Sequence, residues 1–311
     1  MKEYIQKFIQ ISLCIIAIPL SAQSLVNIKA ISELKLIVHY DYTAQVDSTD
    51  IYNIIQEPMI LHVGESASTF ISYNMYKREE VIKNMKNESE MNSFFSDFVR
   101  NNPRPRIIYR LYKNYPTGKT THIDMMIPEL FKYTESYSNF DWQLTHETCI
   151  IAGKSKDNIN SSNCGFLTST QLANLHSFTS ATRTNLIFHK ATTEYGGRIW
   201  EAWFAPDIPL NEGPYKFAGL PGLIVHVNDS QNHHRFTVTN IDLPQEDTYV
   251  EINADFKPLE LSKREFHEAR NKFRQNPFQA MEGMFEADPM EIEIRKDQAR
   301  RNNNPIELIY R

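Results

Sequence analysis

Glycine is scarce in this chain, ten in 311 residues, and half of it falls in the 27 residues from Gly196 to Gly222. A sequence so poor in glycine elsewhere offers no phosphate-cradling loop. Basic charge is also in short supply. Lys and Arg number 33 against 38 Asp and Glu, a formal net charge of −5, and a mildly acidic chain lacks the basic face that nucleic acid calls for. Beyond the N-terminus no segment approaches the roughly 18 uninterrupted apolar residues of a membrane helix, so no transmembrane segment is expected in the mature chain.

What is present begins with an export signal. Met1 to Gln23 carries Lys2 and Lys7, a short apolar core from Phe8 to Leu20 and a small-residue exit at Ser21-Ala22-Gln23, the pattern of a cleaved leader. Cys14 invites a lipoprotein reading, which the bulky Leu13 before it argues against. Cleavage removes Lys2, Glu3 and Lys7 and leaves about 288 residues with a net charge near −6, destined for a periplasm or the cell exterior. Of three cysteines only Cys149 and Cys164 then remain. In an oxidising compartment the pair is expected to form a disulfide, worth about 3 kcal/mol by loop closure. No ligand set for a metal accompanies it, and no cofactor is expected.

Leu34 to Tyr42 alternates apolar and polar residues, a strand with one buried face. Ser68 to Tyr73 is a second strand. Tyr76 to Arg100 is charged and free of Gly and Pro, with Phe94, Phe95, Phe98 and Val99 at helical spacing, and reads as a helical insertion. Ile107–Tyr112 and Thr120–Met126 flank the turn Asn114 to Gly118 as a hairpin. Phe140–Ile151, Asn185–Thr193, Arg198–Phe204, Leu223–Val227 and His234–Leu243 supply further strands. Residues 152–183, rich in Ser, Thr and Asn, read as a polar surface excursion. Strands that follow one another without intervening helices favour an antiparallel meander. The expected fold is therefore mainly β (α+β), with one β domain over 24–257. In 258–311, Ser262 and Glu265 form a capping box opening a helix, followed by a mostly solvated tail.

Familiar catalytic patterns are all incomplete. Gly64-Glu65-Ser66-Ala67-Ser68 lacks the closing glycine of a nucleophile elbow. His146-Glu147-Thr148-Cys149-Ile150 has Ile150 where a zinc protease needs its second histidine. His233 and His234 are adjacent on a strand and point to opposite faces. No metal site is expected. The unusual residues converge instead on Gly196 to Val227. The pleat puts Arg198, Trp200, Ala202 and Phe204 on one face and Ile199, Glu201 and Trp203 on the other, so both faces meet other atoms. Within Gly213 to Gly222, Gly213, Pro214, Gly219, Pro221 and Gly222 are the turn residues. Pro221 and Gly222 match the central positions of a type II turn feeding Leu223 into a strand.

At this tract the chain resembles the GLPGLI family of exported Bacteroidetes proteins, through Gly219-Leu220-Pro221-Gly222-Leu223-Ile224. Lys190-Ala191, Gly197-Arg198, Trp200, Ala202-Trp203-Phe204, Asp207-Ile208-Pro209 and Gly213-Pro214 follow the family's order, and Trp142, Glu147 and Asn304-Pro305-Ile306-Glu307-Leu308 add to the likeness. The resemblance implies a curved antiparallel sheet or half-barrel, bowl-like, with a few peripheral helices. It implies no reaction. Family members usually carry a cysteine just before the Lys-Ala pair, where Phe188-His189 stands here; if Cys164 replaces that partner, the local disulfide is rerouted.

Two functional expectations follow. One is a non-catalytic exported binding, carrier or accessory protein of the cell envelope. Arg198, Trp200, Trp203, Tyr215, Phe217, Leu220 and His226 are its candidate binding residues, for an apolar small molecule, lipid or peptide, or for an envelope protein partner. The other is a secreted hydrolase or peptidase using His226, Asp207 and Arg198. Whether Tyr215, Phe217 and Leu220 face a ligand or pack onto the core is open at this level.

Overall fold

The computed structural model describes residues 27–85, 90, 101–126, 129–137, 140–151, 164–182, 186–275 and 289–310. The expected leader and the phenylalanines at 94, 95 and 98 lie outside them. Among the described residues thirteen strands and four helices follow in the order β1 (Ile28–Gln45), β2 (Ile54–Gly64), β3 (Ser68–Ser72), α1 (Tyr73–Lys83), β4 (Arg110–Lys113), β5 (Lys119–Met126), β6 (Glu129–Ser136), β7 (Gln143–Ile151), α2 (Ser169–Thr182), β8 (Leu186–Tyr195), β9 (Arg198–Ala205), β10 (Leu223–Asp229), β11 (His234–Asp242), β12 (Tyr249–Asn253), β13 (Leu259–Glu260), α3 (Lys263–Gln275) and α4 (Pro289–Arg300). The chain is mainly β.

The strands form one sheet in the order β13-β6-β5-β4-β3-β2-β1-β11-β10-β9-β8-β7, with β12 paired to β1 off that path. The ladders are antiparallel except β13 on β6, and the sheet is not closed into a barrel. Its curvature follows from one contact. β6 and β8 lie nine strand spacings apart, about 43 Å if the sheet were flat. Yet Tyr133 of β6 and Tyr195 of β8 both reach Lys216 Nζ, at 2.6 Å and 3.3 Å. The sheet therefore curls around the segment that carries Lys216.

The face turned toward Lys216 is the core. Leu36, Val38, Tyr40, Tyr42 and Ala44 alternate along β1 as the sequence pattern predicts, and all are buried. Arg198, Trp200, Ala202 and Phe204 of β9 share this face. The opposite, outer face carries α1 over β2 and β3 and α2 over β11. Ser72 caps α1, its Oγ accepting from Met75 N at 3.3 Å, so the helix opens three residues earlier than Tyr76.

Two differences from the sequence reading concern polar segments. Within 152–183, expected as a surface excursion, residues 169–182 are helix α2. Thr168 and Gln171 close a capping box at its start, each backbone N–H bonding the other's side chain at 2.8 Å and 3.3 Å, and Leu175 is fully buried. The C-terminal tail, expected to be mostly solvated, buries Asn304, Ile306 and Glu307. Arg198 is the reason: its guanidinium donates to the Ile306 carbonyl at 3.1 Å, the Pro305 carbonyl at 2.8 Å and Asn304 Oδ1 at 2.5 Å. The capping box of α3 is present, Ser262 Oγ lying 2.6 Å from Glu265 Oε2. Cys149 and Cys164 form a disulfide with their Cα atoms 5.4 Å apart. Phe188 is the cross-strand neighbour of Cys149, so a cysteine on that side of β8 would face the same sulfur.

Candidate binding cleft

The connection from β9 to β10 does not cross the outside of the sheet. It folds into the concavity, and Gly213 to Ala218, Leu220 and Gly222 are all buried. Its backbone is anchored from β4: Lys113 Nζ donates to the carbonyls of Gly213 at 2.7 Å and Phe217 at 3.0 Å and pairs with Glu212 at 2.5 Å. Trp142 Nε1 donates to the Ala218 carbonyl at 2.9 Å. A turn closed by Phe217 N on the Pro214 carbonyl, at 3.1 Å, holds Tyr215 at φ 52°. The expected type II turn at Pro221-Gly222 is not formed. Leu223 N donates to Ile208 O at 3.0 Å rather than back to Leu220, and Gly222 N donates to Leu220 O at 2.8 Å. Glycine is required at 222 by crowding, because a Cβ there would sit 2.2 Å from the Ala205 carbonyl oxygen.

This inward fold delivers Lys216 to the seam where the two ends of the sheet approach each other. Lys216 and Lys263 alternate with Glu135 and Glu307 in a closed quartet: Lys216 contacts each carboxylate at 2.5 Å and Lys263 contacts each at 2.8 Å. Tyr215 OH adds a bond to Glu307 at 2.6 Å. Burial alone would raise the Glu307 carboxyl and lower the Lys216 ammonium. The opposite charges win for both, holding Glu307 well below and Lys216 well above their usual ranges. Both are ionised at neutral pH. Lys216, protonated and surrounded by four oxygens, is not available as an amine nucleophile.

Above the quartet lies a cleft of about 820 Å³. Glu135 and Ser136 of β6, the β8–β9 hairpin from Glu194 to Ile199, Phe140, Lys263 and Ile309 form its walls. Phe140 and Tyr195 pack with ring centroids 4.9 Å apart, and Ile199 and Ile309 expose about half of their surface. The hairpin turn is fitted to the tail: Gly196 has φ 61°, its carbonyl accepts from Leu308 N at 2.6 Å, and a Cβ on it would meet Glu307 at 2.9 Å. The cleft thus joins an apolar rim to a charged floor whose charges are already matched. Among the described residues no group of three or more His, Cys, Asp and Glu is placed to hold a metal ion.

Of the residues singled out in the sequence, Arg198 lines this cleft. Trp200 and Phe217 are fully buried, their rings 4.7 Å apart, and Tyr215 and Leu220 are buried with them. They are core. Trp203 is half-buried on the outer face, stacked on Phe166 at 5.2 Å. His226, on that same face, bonds Thr237 Oγ1 at 2.9 Å and Asn228 Oδ1 at 3.1 Å and stacks on Phe166. Burial lowers its pKa to about 3. The set His226, Asp207 and Arg198 is not assembled. Strand register places His226 beside Trp203 and Arg198 on the opposite face. Asp207 accepts from Ile187 N at 2.9 Å, and Arg198 pairs with Asp229 at 2.9 Å. The sequence reading missed Lys216, Glu135, Lys263 and Glu307 as a group. The one signal for it was a lysine within an otherwise uncharged run of Gly, Pro and aromatic residues, Gly213 to Gly222.

No curated protein matches the chain. A solved structure described as "Structure of PNGF-II in P21 space group" is similar at a TM-score of 0.45 and 11% identity, over 78% of this chain and 34% of the other. The chain thus spans about a third of that structure's length. No helix among the described residues is long and apolar enough to cross a membrane. Residues 142–226, from Trp142 through the inward-folded connection to His226, match the profile of a family described as "Protein of unknown function (Porph_ging)".

Proposed function

We propose that this protein, which resembles the GLPGLI family, is a non-catalytic exported binding protein of the cell envelope, and that its ligand sits in the cleft at the sheet seam. The observation that carries this reading is the cleft itself, about 820 Å³, within the size range of sites for small ligands. The seam supports a binding role through its chemistry. Its floor is rigid, because each carboxylate is held by two ammonium groups. Its rim offers Phe140, Ile199 and Ile309 to the apolar part of a ligand. An amphipathic molecule suits it best, a lipid or a peptide segment that lays an apolar chain on the rim and a polar end over the floor. The aromatic residues first considered for this role, Trp200, Phe217 and Tyr215, act beneath it as packing. The test is native mass spectrometry of protein purified gently from its own envelope. A co-purifying lipid or peptide is expected. Protein that is repeatedly empty under these conditions overturns the reading.

A further inference from the structure

On the outer face, α1 lies over β2 and β3 and α2 lies over β11, so β1 is left as the floor of a groove between two helices. The groove holds about 430 Å³. A β-bulge shapes it. Register passes from His39 opposite Asn240 to Tyr40 opposite Val238, leaving Thr239 as the extra residue, and its carbonyl accepts from Asn174 Nδ2 of α2 at 2.8 Å. Bulges of this kind bend a strand and re-aim neighbouring side chains. Here Asp242 is fixed from both sides: His39 Nε2 lies 3.0 Å from its Oδ2, and Asn240 Nδ2 donates to its Oδ1 at 2.8 Å. About half of the Asp242 side chain stays exposed. Tyr73, at the start of α1, stands edge-on to the His39 ring with centroids 5.5 Å apart.

We propose that this groove is a second binding site, for a neutral polyhydroxylated ligand such as a sugar ring. The argument rests on the donor and acceptor types gathered there. A carboxylate accepts only, carboxamides both donate and accept, and an imidazole offers one nitrogen beyond the one facing Asp242. A set so mixed, fixed in one geometry, is matched by groups that also donate and accept at once, and hydroxyls are that group. An anionic ligand would face the Asp242 carboxylate. Tyr73, whose ring carries the Lys77 ammonium at 5.1 Å and stacks on Tyr76, borders the groove with its edge toward His39. The site is separate from the seam cleft, and neither reading depends on the other.

The test is an NMR titration of the isotope-labelled full mature chain with maltohexaose, cellohexaose and mannopentaose, using oligogalacturonate as the anionic control. Shift changes centred on His39, Tyr73, Asn174 and Asn240 are expected with at least one neutral oligosaccharide. Asp242→Ala and, separately, Asn240→Ala are expected to weaken that binding about tenfold or more. Asn240→Ala serves alone if Asp242→Ala does not fold. Absence of shifts at the groove with all three neutral probes, shifts with the anionic control only, or unchanged affinity in the folded variants overturns the proposal.

Discussion

Gly222 is held by its surroundings. The Ala205 carbonyl oxygen lies where a Cβ would have to be, at 2.2 Å, and backbone atoms cannot withdraw as a flexible side chain does. Gly222→Ala is therefore expected to cost more than 2 kcal/mol, whereas Pro221→Ala, at an exposed position, is expected to cost well under 1 kcal/mol. Urea unfolding of both variants measures the difference, and equal costs would show that crowding is not what selects the glycine. A second expectation concerns acid. His226 and His234, both buried, have pKa values lowered from 6.5 to about 3. A histidine whose folded pKa is depressed contributes stability that is complete above pH 6.5 and is lost as pH falls toward the folded value. Melting temperature should therefore begin to drop below about pH 6.5, before the carboxylates titrate. His226→Gln should flatten that first part of the curve. A melting temperature level from pH 7 to pH 5 would contradict the assignment.

At the scale of elements, the strands whose faces differ could be read directly from alternation, as in β1, where Val38, Tyr40 and Tyr42 are buried in turn. β2 was not legible. Met59 to Val63 is buried on both faces, which erases the period of two, and Pro58 precedes it as an apparent break. α2 was hidden by its polar composition, although Thr168 and Gln171 were a capping box in plain view. The tail was the hardest. Nothing local in Asn304 to Glu307 says that it is buried, because its partners, Arg198 and Lys216, lie about a hundred residues away. Only the family resemblance marked that stretch. Of the residues lining the cleft, Arg198 is among those singled out from the sequence, while the charge quartet depends on pairing distant elements that no spacing encodes. That quartet should behave as a unit. Glu307→Gln leaves Lys216 and Lys263 with one carboxylate between them and is expected to cost about 3–5 kcal/mol. Adding Lys263→Gln should recover part of the loss. A double-mutant cycle with simple additivity would show that the four charges do not act together.

For the whole molecule, one sheet curls around its own connection, Lys113 anchors that connection from β4, and the C-terminal tail closes the seam beside it. The segment richest in glycine and proline is therefore architectural, and its consequence for function is the cleft that it floors. Because the tail and the β8–β9 hairpin form adjacent walls, a change on the rim should affect occupancy without unfolding the sheet. Ile199 offers that change, since half of its surface faces the cleft mouth or solvent. The most direct measurement compares wild-type protein and Ile199→Asp, purified side by side from the native envelope and weighed intact by native mass spectrometry. Wild type carrying a bound lipid or peptide that Ile199→Asp carries in much smaller amount, at unchanged melting temperature, is the predicted result. Equal occupancy of the two proteins, or no bound species in either, would contradict the assignment of the cleft as the ligand site.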